Sequence, residues 1–417
     1  MPPQGEPPPL PVTVLGGLAA GVRDCVADLA RIETPGVAAL ALRAHPDGRE
    51  LAWRLLERSG PLDGGSVPVD GDRGPDSRPS SSRLLPAALL PLLLRLARAG
   101  RHRHLLLTLP PGMEADLVAL GLLHGQARGQ ALADHLRIDT VAVAVDLSRT
   151  EDDLNSGDRL ARHGLALGPH DRRTLAETAA RHLESADLVV TASTNDPDPT
   201  ASARAATLIR HLAPAAATTH LCHDPLTGSL RTSDPAPLTG AHLFDADRAR
   251  ERHGPLPPPT RPPAPEYGVR STRWTSRRPL HARRLHDALE QICAGALRGH
   301  GHLWLANRPG TIHRWESAGE HLAIQTTGNW LPDHDDPAWQ AASAQRRTFA
   351  ALLWDPYYGE RRCELTFTGI DLDVPALHRL LNDCLLTDTE LSLGAERWTL
   401  SDDPFADALG PADLPTP

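Results

Sequence analysis

The chain has 417 residues, a formal net charge of -9 and forty prolines. That length accommodates two domains with separate cores, and the acidic balance excludes a protein that coats nucleic acid through general positive charge. All 43 basic residues are arginine, so no step that needs a lysine is open to it. The five cysteines (Cys25, Cys222, Cys293, Cys363, Cys384) form no C-x-x-C pair, so neither a disulfide framework nor a cysteine zinc site is signalled. The longest apolar run, Leu84 to Leu94, contains Pro86 and Pro91 and falls short of the ~20 residues that span a membrane. The opening residues lack the basic start and apolar stretch of a secretion signal, and a cytoplasmic protein without a membrane contact is expected.

In chain order, residues 1–10 are expected to be disordered and residues 11–250 to form a first domain. Apolar strands are predicted at 12–15, 36–42, 104–109, 141–146, 187–192 and 217–222, with helices such as 174–186 and 201–212 between them. Several strands are apolar on both faces, as in a parallel sheet covered by helices. The expectation is an α/β fold, a P-loop-NTPase-like mostly parallel sheet with helices on both faces. Residues 59–82, rich in Gly, Pro, Asp and Ser, read as a mobile loop. The proline-rich stretch within 251–265 reads as a stiff linker. Residues 266–404 then read as a smaller α+β domain, ferredoxin-like in its order β-α-β-β-α-β, with strands at GVRSTRW, HLWLA (302–306), HLAIQTT (321–327) and CELTFTG (363–369). Helices are placed at 338–353 and on Val374, Leu377, Leu381 and Leu385; the tail 405–417 is expected to be disordered.

The first strand runs into a Gly-rich turn, VTVLGGLAAGVRDC (12–25). A working phosphate loop reads G-x-x-x-x-G-K-[ST]: backbone N–H groups cradle phosphate, the lysine neutralises it and the hydroxyl binds magnesium. Starting at Gly17, Val22 replaces the second glycine, Arg23 the lysine and Asp24 the hydroxyl. Starting at Gly16, both glycines survive (Gly16, Gly21), but Val22 and Arg23 take the last two positions. Both registers stay open, as does an ordinary strand-to-helix turn. An aspartate ~4 Å from a phosphate oxygen would repel it by roughly 4 kcal/mol at an effective dielectric of 20.

This stretch, with RIDTVAVAVD (137–146), SGDRLARHGLALGPHDRRTLAETAARHLESADLVV (156–190), EYGVRSTRWTSRRPLHARRLHDAL (266–289), HGHLWLANRPGTIHRWESAGEHLAI (300–324) and GIDLDVPALHRLLNDCLLTDTEL (369–391), resembles the CobW-type family of GTPases and zinc metallochaperones. The resemblance implies a magnesium- or water-holding acid where Thr108 stands. It implies a guanine-reading N-K-x-D motif where the chain has Ala192, Ser193, Thr194 and Asn195, with Asp196 next. A C-x-C-C zinc stretch is implied where the chain reads PDSRPSSSR (75–83). With each landmark altered, the expectation is a retained fold whose nucleotide site is vestigial at Gly16, Gly17, Gly21, Arg23, Asp24, Thr108, Thr194 and Asn195, with no catalytic residue and no cofactor. The alternative is a weak GTP-binding zinc metallochaperone using GTP, Mg2+ and Zn2+. The chain is also similar to an actinobacterial branch of the family that recruits a ribosome hibernation factor. That similarity implies an adaptor in zinc limitation whose partners are the 30S ribosomal subunit and such a factor, with no DNA.

Two further clusters stand out. His220, Cys222 and His223 gather at a strand end and are weak metal candidates, against a plain polar strand end. Arg270, Arg273, Arg277, Arg278, Arg283 and Arg284 surround Trp274, a composition suited to RNA phosphate contact and stacking. The alternative there is a strand with one buried and one solvated face.

Overall fold

A computed structural model describes the chain except residues 1–7, 46, 70–86, 194–197, 224–229, 233–237, 258–260, 332–336 and 411–417, and the side chains of 223 and 230. It divides into two compact units, Met1–Arg250 and Glu251–Pro417. None of the described helices is long and apolar enough to cross a membrane.

The first unit contains β1 (Leu10–Gly16), α1 (Ala20–Glu33), β2 (Val37–Ala44), β3 (Glu50–Glu57), β4 (Gly60–Pro68), α2 (Leu90–Ala99), β5 (His104–Thr108) and α3 (Ala115–His124). A small hairpin, β6 (Gln126–Ala127) with β7 (Gln130–Ala131), precedes β8 (Leu136–Asp146). Then come α4 (Thr150–Asn155), α5 (Leu175–Ser185), β9 (Leu188–Ala192), α6 (Pro199–Leu212), β10 (Ala217–His223), β11 (Leu230–Thr232) and α7 (Ala246–His253). The nine-stranded sheet has the order β11-β10-β9-β8-β1-β5-β2-β3-β4, parallel from β10 to β2.

Strand alternation sends successive side chains into two different cores. Val12, Val14, Leu40, Leu105 and Leu107 meet Leu93 of α2 and Val118 and Leu122 of α3 on one face. Leu15, Ala39, Leu106, Ala142 and Ala144 meet Val22, Val26 and Ala30 of α1 on the other. Both faces are covered, which is why these strands read as unbroken apolar runs. The expected α/β layering is therefore present.

The loop placed at 59–82 needs correction. Residues 60–68 form β4, antiparallel to β3, and residues 70–82 lie outside the described ones. Glycine and proline suggested a turn, yet β4 is an exposed edge strand, where missing side chains and missing ladder donors cost least. At the start, Leu10 is buried in β1; at the expected linker, α7 continues to His253 and Leu256 joins the second core.

The second unit holds β12 (Val269–Ser276), α8 (Ala282–Cys293), β13 (Arg298–Leu303), β14 (Thr311–Ala318), β15 (His321–Asn329), α9 (Pro337–Ala341), α10 (Ala344–Leu352), β16 (Cys363–Ile370) and α11 (Val374–Asp383). Short helices α12 (Asp388–Ser392), α13 (Ala395–Trp398) and α14 (Ala406–Leu409) follow. The sheet order is β12-β16-β13-β14-β15, and every ladder is antiparallel. It is an antiparallel α+β domain with one strand more than the ferredoxin-like pattern. The extra strand is β14, whose TIHRWESA alternates less plainly than its neighbours, and the strand placed at 302–306 lies upstream at β13. The helix placed at 338–353 is split into α9 and α10. Trp274, Leu285, Ile292, Trp315, Leu365, Phe367, Leu377 and Leu381 share the core between the sheet and α8 and α11. The tail was expected to be disordered from 405, but Phe405 is buried in this core and Arg308 Nη2 donates to the Gly410 carbonyl at 2.5 Å.

Candidate functional site

In a parallel sheet, ligand sites form outside the carboxyl ends of the strands, where connections leave in opposite directions. Here that point is the Gly16–Val22 loop between β1 and α1, flanked by the ends of β5 and β8. Gly17 sits at φ +120° against β8, and a Cβ there would lie 2.2 Å from the Ala144 carbonyl oxygen. The glycine is therefore demanded by strand packing, with or without a phosphate. Gly16 packs against Ala115, whose Cβ would be 3.1 Å from an added Cβ, while Gly21 faces open space.

Arg23 turns inward. It is buried, its Nη1 donates to the Gly17 carbonyl at 3.1 Å and its Nε has no partner. Burial lowers its pKa from the ordinary arginine value, opposed by nearby Asp24. Asp24 itself is exposed on α1, 3.5 Å from Arg43 of β2. The expected clash of Asp24 with phosphate is thus corrected: one helical step past Arg23, it points out of the loop. Thr108 ends β5 beside Leu15, buried, with its hydroxyl unpartnered. Ala192 closes β9, while Thr194, Asn195 and Asp196 lie outside the described residues, as does the stretch 75–83.

The segment after β5, residues 109–114, is held down. Leu109 N donates to the Leu15 carbonyl, and Gly112 packs so closely that an added Cβ would lie 2.8 Å from the Leu165 carbonyl oxygen. Glu114 Oε1 takes Arg173 at 3.3 Å and Arg181 at 3.5 Å, and Arg173 Nη2 pairs with Asp171 at 2.8 Å. Burial opposes the Arg173 charge, but its bonds to Asp171 and the charge of Glu114 outweigh it and raise its pKa. This lattice of side chains lay in the sequence but carried no motif to announce it.

Beside the loop opens a cavity of about 420 Å³, lined by Ala20, Gly21, Asp146, Arg149, Asp153 and His163 among others. Asp146 accepts Ser148 N at 3.0 Å and Ser148 Oγ at 2.6 Å. Burial raises the Asp153 pKa, although Arg149 stands 3.5 Å away. Behind the cavity, His182 of α5 is buried with both ring nitrogens unpartnered, its pKa pushed down to about 4 chiefly by burial. Sequence reading passed over these residues because strand ends and helix faces ordinarily carry such side chains.

Of the metal candidates, two have described side chains. His220 Nδ1 meets Thr191 Oγ1 at 3.0 Å, Cys222 lies 3.7 Å from the Arg231 carbonyl, and the His223 side chain is outside the described ones. Among the described residues no group of three His, Cys, Asp or Glu is placed to hold a metal ion.

In the basic stretch 270–284, the stacking expected of Trp274 needs correction. Trp274 is buried in the core with Nε1 donating to Asn382 at 2.9 Å, so its ring offers no stacking face. Arg277 donates to the Leu353, Gly359 and Arg361 carbonyls, Arg278 pairs with Asp388 and Arg283 with Asp402. Arg284 forks onto Glu390, and Arg273 stands 3.6 Å from Glu364; Arg270 is exposed. Four of these arginines fasten the end of β12 and the start of α8 to the segments around them.

Residues 269–385 match the family of the cobalamin synthesis protein cobW C-terminal domain. The chain is 32% identical over 329 residues to the zinc chaperone Rv0106 of Mycobacterium tuberculosis, covering 76% of this chain and 75% of that protein. It is 30% identical over 289 residues to the zinc-regulated GTPase metalloprotein activator 1 of Dictyostelium discoideum, covering 66% and 57%. Among solved structures it matches the Zn(II)-bound YjiA GTPase from E. coli, at 13% identity and a TM-score of 0.37, covering 91% and 99%.

Proposed function

The chain belongs to the CobW-type family, and we propose that within it this is a cytoplasmic zinc-homeostasis protein that binds a protein partner and turns over no GTP. The GTPase-like sheet then serves as a scaffold. One observation carries the reading: the only basic residue in the Gly16–Asp24 stretch, Arg23, is buried and bonded back to the loop's own Gly17 carbonyl. A triphosphate with magnesium brings about four negative charges and a metal to a phosphate loop, which answers with a lysine and a hydroxyl. Here the corresponding residues are Val22, Arg23 and Asp24, and Thr108 ends β5 in place of an acid. The side chains present do not fit a magnesium nucleotide.

Support for the zinc role comes from the relatives, two of which carry zinc in their names. In this reading, zinc supply is the condition that sets whether the partner is bound. The finer expectation, a ribosome-bound adaptor, has weaker support, since most arginines of 270–284 are engaged within their own domain.

Calorimetry of the full chain with GTP and magnesium tests the proposal directly. No heat of binding and no phosphate release are expected. Micromolar binding with turnover abolished by Arg23→Ala would establish the weak GTPase instead. A pull-down from zinc-depleted lysate identifies the partner, a zinc-dependent enzyme or a ribosomal particle; capture of nothing in either zinc condition would sink the partner-binding reading.

A further inference from the structure

The cavity beside the Gly16–Val22 loop is lined by groups of both polarities. One wall is the start of α1. Its N-cap, Ala19, supplies no side-chain bond, and the first bond along the helix runs from Arg23 N to the Ala19 carbonyl. The N–H groups of Ala20, Gly21 and Val22 therefore have no acceptor within the helix and favour a negative group. The lining also includes Asp146 and Asp153, with Arg149 tied to Asp153. His163, beside Asp158, also lines the cavity, and Leu18, Val22, Leu165 and Leu175 add apolar surface.

An independent feature points to a ligand. A smaller chamber of about 30 Å³ shares Leu18, Ala19, Asp146 and Asp153 with this cavity and is lined by His182. That imidazole is 2% exposed and has no partner on either nitrogen. A buried polar ring left unpaired is costly, and the chamber has room for about one water. At neutral pH the ring is uncharged, so one nitrogen donates and the other accepts.

We propose that this cavity binds a free α-amino acid with a mid-sized apolar side chain, its carboxylate at the α1 N-terminus and its ammonium toward Asp146 and Asp153. A phosphate ester would place its charge against those two carboxylates. A simple cation would leave the helix N–H groups unanswered, and a neutral apolar molecule would leave both sets of groups so. Among metal-free ligands, a zwitterion answers both. The volume of about 420 Å³ lies at the small end of the range for organic ligands, which suits one amino acid and a few waters. His182, which lines the adjoining chamber, accepts from the ammonium directly or through a water that the chamber has room to hold. The inference rests on the reading that the loop holds no triphosphate.

The test uses the full chain and calorimetry with L-leucine, isopentylamine, which lacks the carboxylate, and 4-methylpentanoate, which lacks the ammonium. Leucine binding is expected, with each half-ligand weaker by about tenfold or more. Asp153→Asn and Gly21→Leu, the second filling open space at the cavity wall, are each expected to abolish it while the circular dichroism spectrum is unchanged. No leucine binding, equal binding of the amine alone, or unchanged binding in Gly21→Leu would overturn the inference. A parallel titration with GTP and magnesium keeps the two readings apart: nucleotide binding defeats the functional proposal, whereas silence from leucine alone defeats only this one.

Discussion

Gly17 and Gly21 look equivalent in the sequence, two glycines of one loop, and the structure gives them opposite burdens. Gly17 combines φ +120° with the 2.2 Å approach to the Ala144 carbonyl, so any side chain there must push β1 from β8. Gly21 lies in the first turn of α1 with nothing within 4 Å of an added Cβ. We predict that Gly17→Ala destabilises the protein by about 3 kcal/mol or more, through backbone strain and clash together. Gly21→Ala should be neutral or stabilise by up to about 1 kcal/mol, through helix propensity and a less flexible unfolded chain. Urea unfolding followed by circular dichroism measures both, and equal effects would contradict the assigned roles. The same contrast explains why the loop resembles a phosphate cradle: a glycine that lets strands approach and a glycine that admits phosphate are indistinguishable as letters. Arg23 and Asp24 divide likewise, one facing the loop and its neighbour facing Arg43, a difference set by helical rotation.

At the level of elements, the strands and helices of the parallel sheet were legible because burial on both faces leaves an apolar run that few other structures produce. The β3–β4 hairpin was not, because an exposed edge strand tolerates the glycines and prolines that mark loops. Nor was the fastening of 109–114, which depends on Glu114 meeting Arg173 and Arg181 across long stretches of chain. Arg173 also bonds Asp171 at both Nε and Nη2, and Asp171 accepts from Leu167 N. Burial pushes the Asp171 pKa up, but the bonds from Arg173 outweigh it and hold it below the ordinary carboxylate value. The fastening is therefore complete at neutral pH and is lost in acid, as pH falls below the ordinary carboxylate range through the folded-state value. Arg173→Met would leave Asp171 partly buried without its cation and Glu114 with Arg181 alone, costing about 3 kcal/mol. Hydrogen exchange should show lost protection at residues 109–114 and 165–173, with β5 and β8 still protected. Unchanged exchange at 109–114 would mean that packing, not charge, fixes the segment.

For the molecule as a whole, the division between Arg250 and Glu251 gives each unit its own sheet and its own apolar core. We predict that residues 251–417 produced alone unfold cooperatively in urea with the near-ultraviolet signal of buried Trp274, Trp304 and Trp315; a non-cooperative transition would show that this core is incomplete. Composition and pattern by themselves determined much: two domains, a sheet covered on both faces, an α+β domain after it, and a Gly-rich loop with an arginine but no lysine or hydroxyl. Those properties depend on which residue types are present and on short-range periodicity, and both are written along the chain. Only the tertiary structure decided that Arg23 bonds its own loop, that most arginines around Trp274 are engaged within their domain, and that Asp153 and His182 line one small chamber. Such facts depend on distances between residues far apart in sequence, which one-dimensional order does not encode until the sheet has closed and the helices have packed.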